Sequence, residues 1–71
     1  MTLIDALEGK EYKIADIDSC DEELKEFLFS LGCYSGESIT VVSKKKKNIV
    51  VSIKEGRYSI DNDLGKIIYI D

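Results

Sequence analysis

The sequence predicts a mainly β domain: a small, strongly bent barrel of about five short strands with one α-helix inserted after the first strand. Two observations carry that prediction. Short runs rich in Ile, Val and Tyr recur along the chain, each bounded by Gly, Asn, Asp or Lys. Only one longer stretch, Leu24 to Leu31, places apolar residues at helical spacing. So many short strands in 71 residues must manage their edges by bending towards closure. The alternative is an open α+β sheet covered by the helix.

The elements follow in order. Thr2 to Leu7 predicts one helical turn, with Thr2 as cap, Asp5 three residues on, and Gly9 as its end. Glu11 to Asp18 is the first strand. Tyr12 and Ile14 share a face, but Ile17 is out of phase with them, so a bulge is expected near Ala15-Asp16. Ser19 and Glu22 form a second capping box, and Asp21, Glu22 and Glu23 place negative charge in the first turn, where the helix dipole favours it. Leu24, Phe27, Leu28 and Leu31 fall on one helix face. Gly32 stands where a left-handed cap needs no Cβ, and the cap aims Cys33 back at Leu28.

Strands at Glu37 to Ser43 and Asn48 to Lys54 pair about a turn at Lys45-Lys46-Lys47, setting Ile39 opposite Ile53 and Val41 opposite Val51. Val42 and Val50 then form an apolar pair on the other face, near the tip. Glu55-Gly56 has the form of a two-residue hairpin turn, which places Tyr58 opposite Ile53 and Ile60 opposite Val51. Asp61 to Gly65 is a polar break with one helical turn, and Lys66 to Ile70 a last strand with Ile68 and Ile70 on one side. These parts, in this order, predict an SH3-like barrel forming a single domain over 1–71.

Composition narrows the function. Fourteen acids against ten bases give a net charge of −4, which argues against general affinity for nucleic acid. No apolar run approaches the ~20 residues that span a bilayer, and no signal peptide opens the chain, so a cytoplasmic location is expected. In that setting Cys20 and Cys33 are expected as free thiols. The absence of histidine removes the commonest general base, and no nucleophile-plus-base grouping can be drawn, so the chain is not expected to be an enzyme.

Several groups remain as candidate sites. Lys44, Lys45, Lys46 and Lys47 form either a solvated turn that discourages edge aggregation or, beside Val42 and Val50, an electrostatic contact for an acidic partner or a lipid headgroup. Asp16, Asp18 and Cys20, with Asp21 and Glu22 nearby, are the only grouping with oxygen and sulfur ligands for a transition metal. Capping already explains Asp21 and Glu22, so no cofactor is expected, with weak Fe2+ or Zn2+ binding as the alternative. Phe29 lies roughly 150° around the helix from the apolar stripe. It is either covered by a neighbouring loop, such as the N-terminal turn with Leu3 and Leu7, or exposed as an aromatic anchor for a partner.

The chain resembles the FeoA family, small cytoplasmic accessory proteins of bacterial ferrous iron uptake, related to the C-terminal domain of diphtheria-toxin-repressor-type regulators. The resemblance spans essentially all residues. It rests on Thr2-Leu3 with Leu7 and Gly9, Ile14 and Ile17, and Leu28-Phe29-Ser30-Leu31-Gly32-Cys33-x-x-Gly36, followed by Ile39-x-Val41-Val42 and Ile60-x-x-x-x-Gly65-x-x-Ile68-x-Ile70. Cys33 and Ser35 replace an aliphatic residue and a proline of the family pattern, and Lys44 to Asn48 replaces a longer Gly-Asp-Pro loop. The resemblance implies a non-enzymatic protein that binds the cytoplasmic, GTPase-containing part of a FeoB-type permease; a second copy of this chain, giving a homo-oligomer, is the other candidate partner. A metal-sensing regulatory module and a soluble transition-metal-binding protein are the alternatives.

Overall fold

Fifteen apolar side chains, contributed by every strand, the helix and the N-terminal segment, form one buried cluster, and the elements are best understood by what each delivers to it. The computed structural model describes residues Met1 to Asp71. Its strands are β1 (Glu11–Ile17), β2 (Ser38–Lys44), β3 (Asn48–Ile53), β4 (Gly56–Asp61) and β5 (Ile68–Ile70). Helix α1 (Glu22–Ser30) follows β1, and a single turn, α2 (Asn62–Gly65), separates β4 from β5. All neighbours are antiparallel, in the order β4-β3-β2-β1-β5.

The bend of this sheet is made within β1. Glu11, Tyr12 and Lys13 pair with β2, whereas Ile14, Asp16 and Ile17 pair with β5. The register slips between Ile14 and Asp16, at the predicted bulge, and this lets Ile14 and Ile17 both reach the core despite their odd spacing. The barrel is not closed. β4 and β5 are its two free ends, bridged by α2, whose cap is the Asp61 side chain accepting from Leu64 N at 2.8 Å.

β2 and β3 pair as their alternation requires, Ile39 with Ile53 and Val41 with Val51. Beyond Val41 a second bulge intervenes, so the predicted Val42–Val50 pair does not form. Ser43 stands opposite Val50 and Lys44 opposite Ile49, with Val42 squeezed out of the ladder. The β3–β4 turn also differs from expectation. Its central residues are Lys54 and Glu55, with Lys54 in the left-handed region at φ 55°, and Ile53 pairs with Gly56. Val51 therefore faces Tyr58 and Ile49 faces Ile60. The slip is two residues, an even number, so each side chain keeps the face that the sequence predicts.

At the start of α1 the cap is Asp21 rather than Ser19. Asp21 Oδ1 accepts from Glu23 N at 3.0 Å and Leu24 N at 3.3 Å, while Ser19 Oγ takes only the Asp21 N–H. At its end the predicted glycine cap forms in full. Gly32 has φ 97°, its N–H donates to Phe29 O, and Cys33 N–H donates to Leu28 O at 3.0 Å.

The helix does not lie along the barrel as its stripe suggested. Leu28 is fully buried, Leu24 and Leu31 are half-buried, and Phe27 is exposed. The glycine cap ties the last turn to the core and leaves the first turns beside it. Leu28→Ala is therefore expected to cost ~2–5 kcal/mol in denaturant unfolding. Leu31→Ala should cost only about 1 kcal/mol, because its site is already partly open. Equal losses at both positions would mean that the stripe packs as a unit.

Candidate functional site

The cap at Gly32 reverses the chain so that Tyr34 comes back under Phe29. The two rings stack with centroids 5.3 Å apart and planes 10° from parallel. The reversal is held against β1, where Gly36 N donates to Ile14 O at 2.7 Å, Ile14 N donates to Glu37 O, and Ser35 Oγ donates to Ala15 O. Phe29 is thus covered by Tyr34, not by the N-terminal turn. Leu3 is committed to the core and Leu7 is 65% exposed.

The stack remains half-open, with Phe29 38% and Tyr34 47% exposed, and it forms one wall of a shallow groove of about 390 Å³. Ile53, Gly56 and Tyr58 form the floor and the far wall. Lys54 stands at the rim with Nζ 6.0 Å from the Tyr34 ring centroid and 3.8 Å from Glu37 Oε1. An aromatic groove with one cation at its edge offers dispersion and stacking surface and few polar fixtures. It suits an apolar or aromatic side chain of another protein.

The lysine run divides into one structural residue and three free ones. The β2 bulge turns Lys44 towards the core side, opposite Ile49. There its Nζ donates to Ile4 O at 2.6 Å and Ala6 O at 3.0 Å, while its backbone N–H donates to Glu8 Oε2 at 2.8 Å. Lys44 is thus used in holding the N-terminal segment. Lys45, Lys46 and Lys47 form the exposed tip, fastened through its carbonyls, with Asn62 Nδ2 donating to Lys46 O and Asn62 N to Lys47 O. Val42 is exposed at the bulge, apart from Val50 in the ladder.

Tip and groove lie at opposite ends of β3, because the strand starts beside Lys47 and ends at Ile53. Six residues span roughly 17 Å, beyond the ~8 Å screening length at physiological salt.

Asp16, Asp18 and Cys20 are not gathered. Asp16 Oδ1 accepts from the neighbouring Ile17 N, Asp18 N is tied to Ile67 O, and Cys20 is exposed. No three His, Cys, Asp or Glu side chains converge as a metal-binding group anywhere in the chain. Cys33, packed beneath the helix cap, has its thiol pushed up from 9.0 to about 11 by burial. No helix is long and apolar enough to cross a membrane.

Of the groove, only Phe29 is legible in the sequence. Tyr34 and Tyr58 enter through the chain reversal and the strand register. The one available signal was an aromatic residue placed two positions after the capping glycine.

The FeoA domain family model matches residues 1–71. A Helicobacter pylori (strain J99) protein provisionally named Fe(2+) transport protein A is 37% identical over 60 residues, covering 84% of this chain and 77% of its own. The zinc complex of Stenotrophomonas maltophilia FeoA, a prokaryotic SH3 domain protein, superposes with a TM-score of 0.87 at 18% identity, over 100% of this chain and 89% of the other. A manganese-dependent transcriptional repressor gives a TM-score of 0.90 at 17% identity, over 99% of this chain and 40% of its own. At such identities the structural likenesses establish the SH3-like fold.

Two outcomes follow from the lysine and cysteine geometry. Lys44→Met should cost about 1 kcal/mol of stability, since it frees two carbonyls, whereas Ser at Lys45, Lys46 or Lys47 should stay within ±0.5 kcal/mol in urea titrations. Burial favours the neutral Cys33 thiol, so its contribution to stability is complete below pH 9.0 and lost as pH rises to about 11. Cys33→Ala should unfold with a shallower alkaline slope across that window. Parallel pH profiles for the two proteins would contradict the assignment.

Proposed function

Since the chain belongs to the FeoA domain family, we propose that it is a non-enzymatic accessory protein of ferrous iron uptake, acting in the cytoplasm by binding the cytoplasmic, GTPase-containing region of a FeoB-type permease. The single observation that carries the binding mode is the half-exposed Phe29–Tyr34 stack, set in place by the chain reversal at the Gly32 cap. Ordering an aromatic pair before binding removes part of the entropic cost of association, and buried aromatics supply most of the energy at protein interfaces. The chain has no histidine, and no three His, Cys, Asp or Glu side chains converge as metal ligands, which fits a binding role better than chemistry.

Phe29 is the anchor in this reading, and Ile53 and Tyr58 receive the partner side chain between the stack and the sheet. The tip lysines, Lys45 to Lys47, act only as a distant field. Lys44 is withdrawn from the contact because its ammonium is occupied within the fold. Val42 remains exposed beside the tip as the competing anchor.

Calorimetry against the purified cytoplasmic region of the permease separates these surfaces. Phe29→Glu should abolish binding at any salt concentration. Replacing Lys45, Lys46 and Lys47 by Ser should change affinity less than about twofold at 0.15 M salt, because the tip lies beyond the screening length. Wild-type affinity in Phe29→Glu, with a large loss in the lysine variant or in Val42→Glu, would move the contact to the tip.

A further inference from the structure

The two ends of the sheet are treated differently. The β5 edge is covered: Tyr69 bridges to Thr2, and Ile70 N–H donates to Met1 O at 2.9 Å. The β4 edge is bare. β4 is the terminal strand on its side, and outside the ladder to β3 no backbone hydrogen bond involves Arg57, Tyr58, Ser59 or Ile60.

The register says which groups face outward. Ile53 and Gly56 close a two-residue turn, and Asn62 N–H donates to Lys47 O in phase with them. Gly56, Tyr58 and Ile60 therefore spend their N–H and C=O groups on β3, and Arg57 and Ser59 turn theirs away from it. Arg57, Ser59 and Asp61 also have exposed side chains on the outer face, while Ile60 is buried and Tyr58 half-buried on the inner one.

Arg57 by itself would be an ordinary guard against edge pairing. Its placement relative to Asp61 makes it the opposite. An antiparallel pairing of this edge with an identical edge must match outward-turned residues with outward-turned residues, which permits a two-fold axis at any residue of the strand; the axes at Ser59 and at Tyr58 pair most of β4. The axis at Tyr58 sets Arg57 against Ser59 and Tyr58 against itself. The axis at Ser59 sets each Arg57 against Asp61 of the second copy and each Tyr58 against Ile60. Two opposite-charge pairs on the outer face and two aromatic–aliphatic pairs on the inner face then form by symmetry. Asp61 caps α2 through Oδ1 alone, so Oδ2 remains available to the guanidinium.

We propose that the β4 edge is a self-association surface, on which a second copy of this chain adds its own β4 antiparallel about Ser59 and makes one continuous sheet through both molecules. This goes beyond the permease contact and does not depend on it.

Sedimentation equilibrium of the full chain tests the pairing. The expected result is a reversible, concentration-dependent dimer of the 8.0 kDa chain that weakens as salt rises. Arg57→Asp puts like charges opposite each other twice and should weaken association about tenfold. Adding Asp61→Asn, which keeps a capping side chain, should recover most of that loss. Ser59→Pro removes the central outward N–H, which the isolated fold does not use, and should abolish the dimer with an unchanged circular dichroism spectrum. A chain that stays monomeric up to millimolar concentration overturns the proposal. So does a dimer that is indifferent to Arg57→Asp and Ser59→Pro.

Discussion

A sheet of five short strands can enclose fifteen side chains only if it bends sharply, and the two bulges provide that bend. Most of the surface follows from where they fall. The bulge in β1 lets Ile14 and Ile17 both point inward and hands the strand over from β2 to β5. The bulge in β2 expels Val42 and rotates Lys44 towards the N-terminal turn. One extra residue in a ladder thus decides which lysine of four is structural and which valine is exposed.

Much of the fold was legible because its determinants are local or periodic. Alternation paired Ile39 with Ile53 and Val41 with Val51, a phase break located the β1 bulge, and spacing located the Gly32 cap. The failures were positional. Nothing in a run of Thr40-Val41-Val42-Ser43 marks which residue the ladder will reject. The β3–β4 turn falls one residue earlier than Glu55-Gly56 suggests, because Gly56 looks like the residue that would take the left-handed position. That conformation belongs to Lys54, and Gly56 lacks a side chain because the Tyr58 hydroxyl occupies the space above it. The helix stripe was correct as a pattern, yet it did not show that only the last turn would be buried.

Of the candidate site, the sequence offered Phe29 as an oddity and left its cover undecided. The resolving contact, Tyr34, lies across a reversal of the chain, where neither helical nor strand periodicity applies. The lysine run stands out by its composition, but composition cannot separate an ammonium bound to two carbonyls from three that are exposed. The candidate metal ligands, close in sequence, do not converge in space: Asp16 closes a local bond to Ile17 N, Asp18 follows the end of β1 with its N–H on Ile67 O, and Cys20 is exposed.

The attachment of α1 through Leu28 and the Gly32 cap has a thermodynamic consequence. A nine-residue helix with one fully buried side chain is a unit that can open locally while the ladders between the strands persist. Phe29 belongs to that unit and Tyr34 to the reversal that anchors it, so opening the helix dismantles one wall of the groove. Any partner seated there draws on the closed population and must in turn increase it. Occupancy of the groove and amide-exchange protection along Glu22 to Ser30 are therefore two readings of one equilibrium.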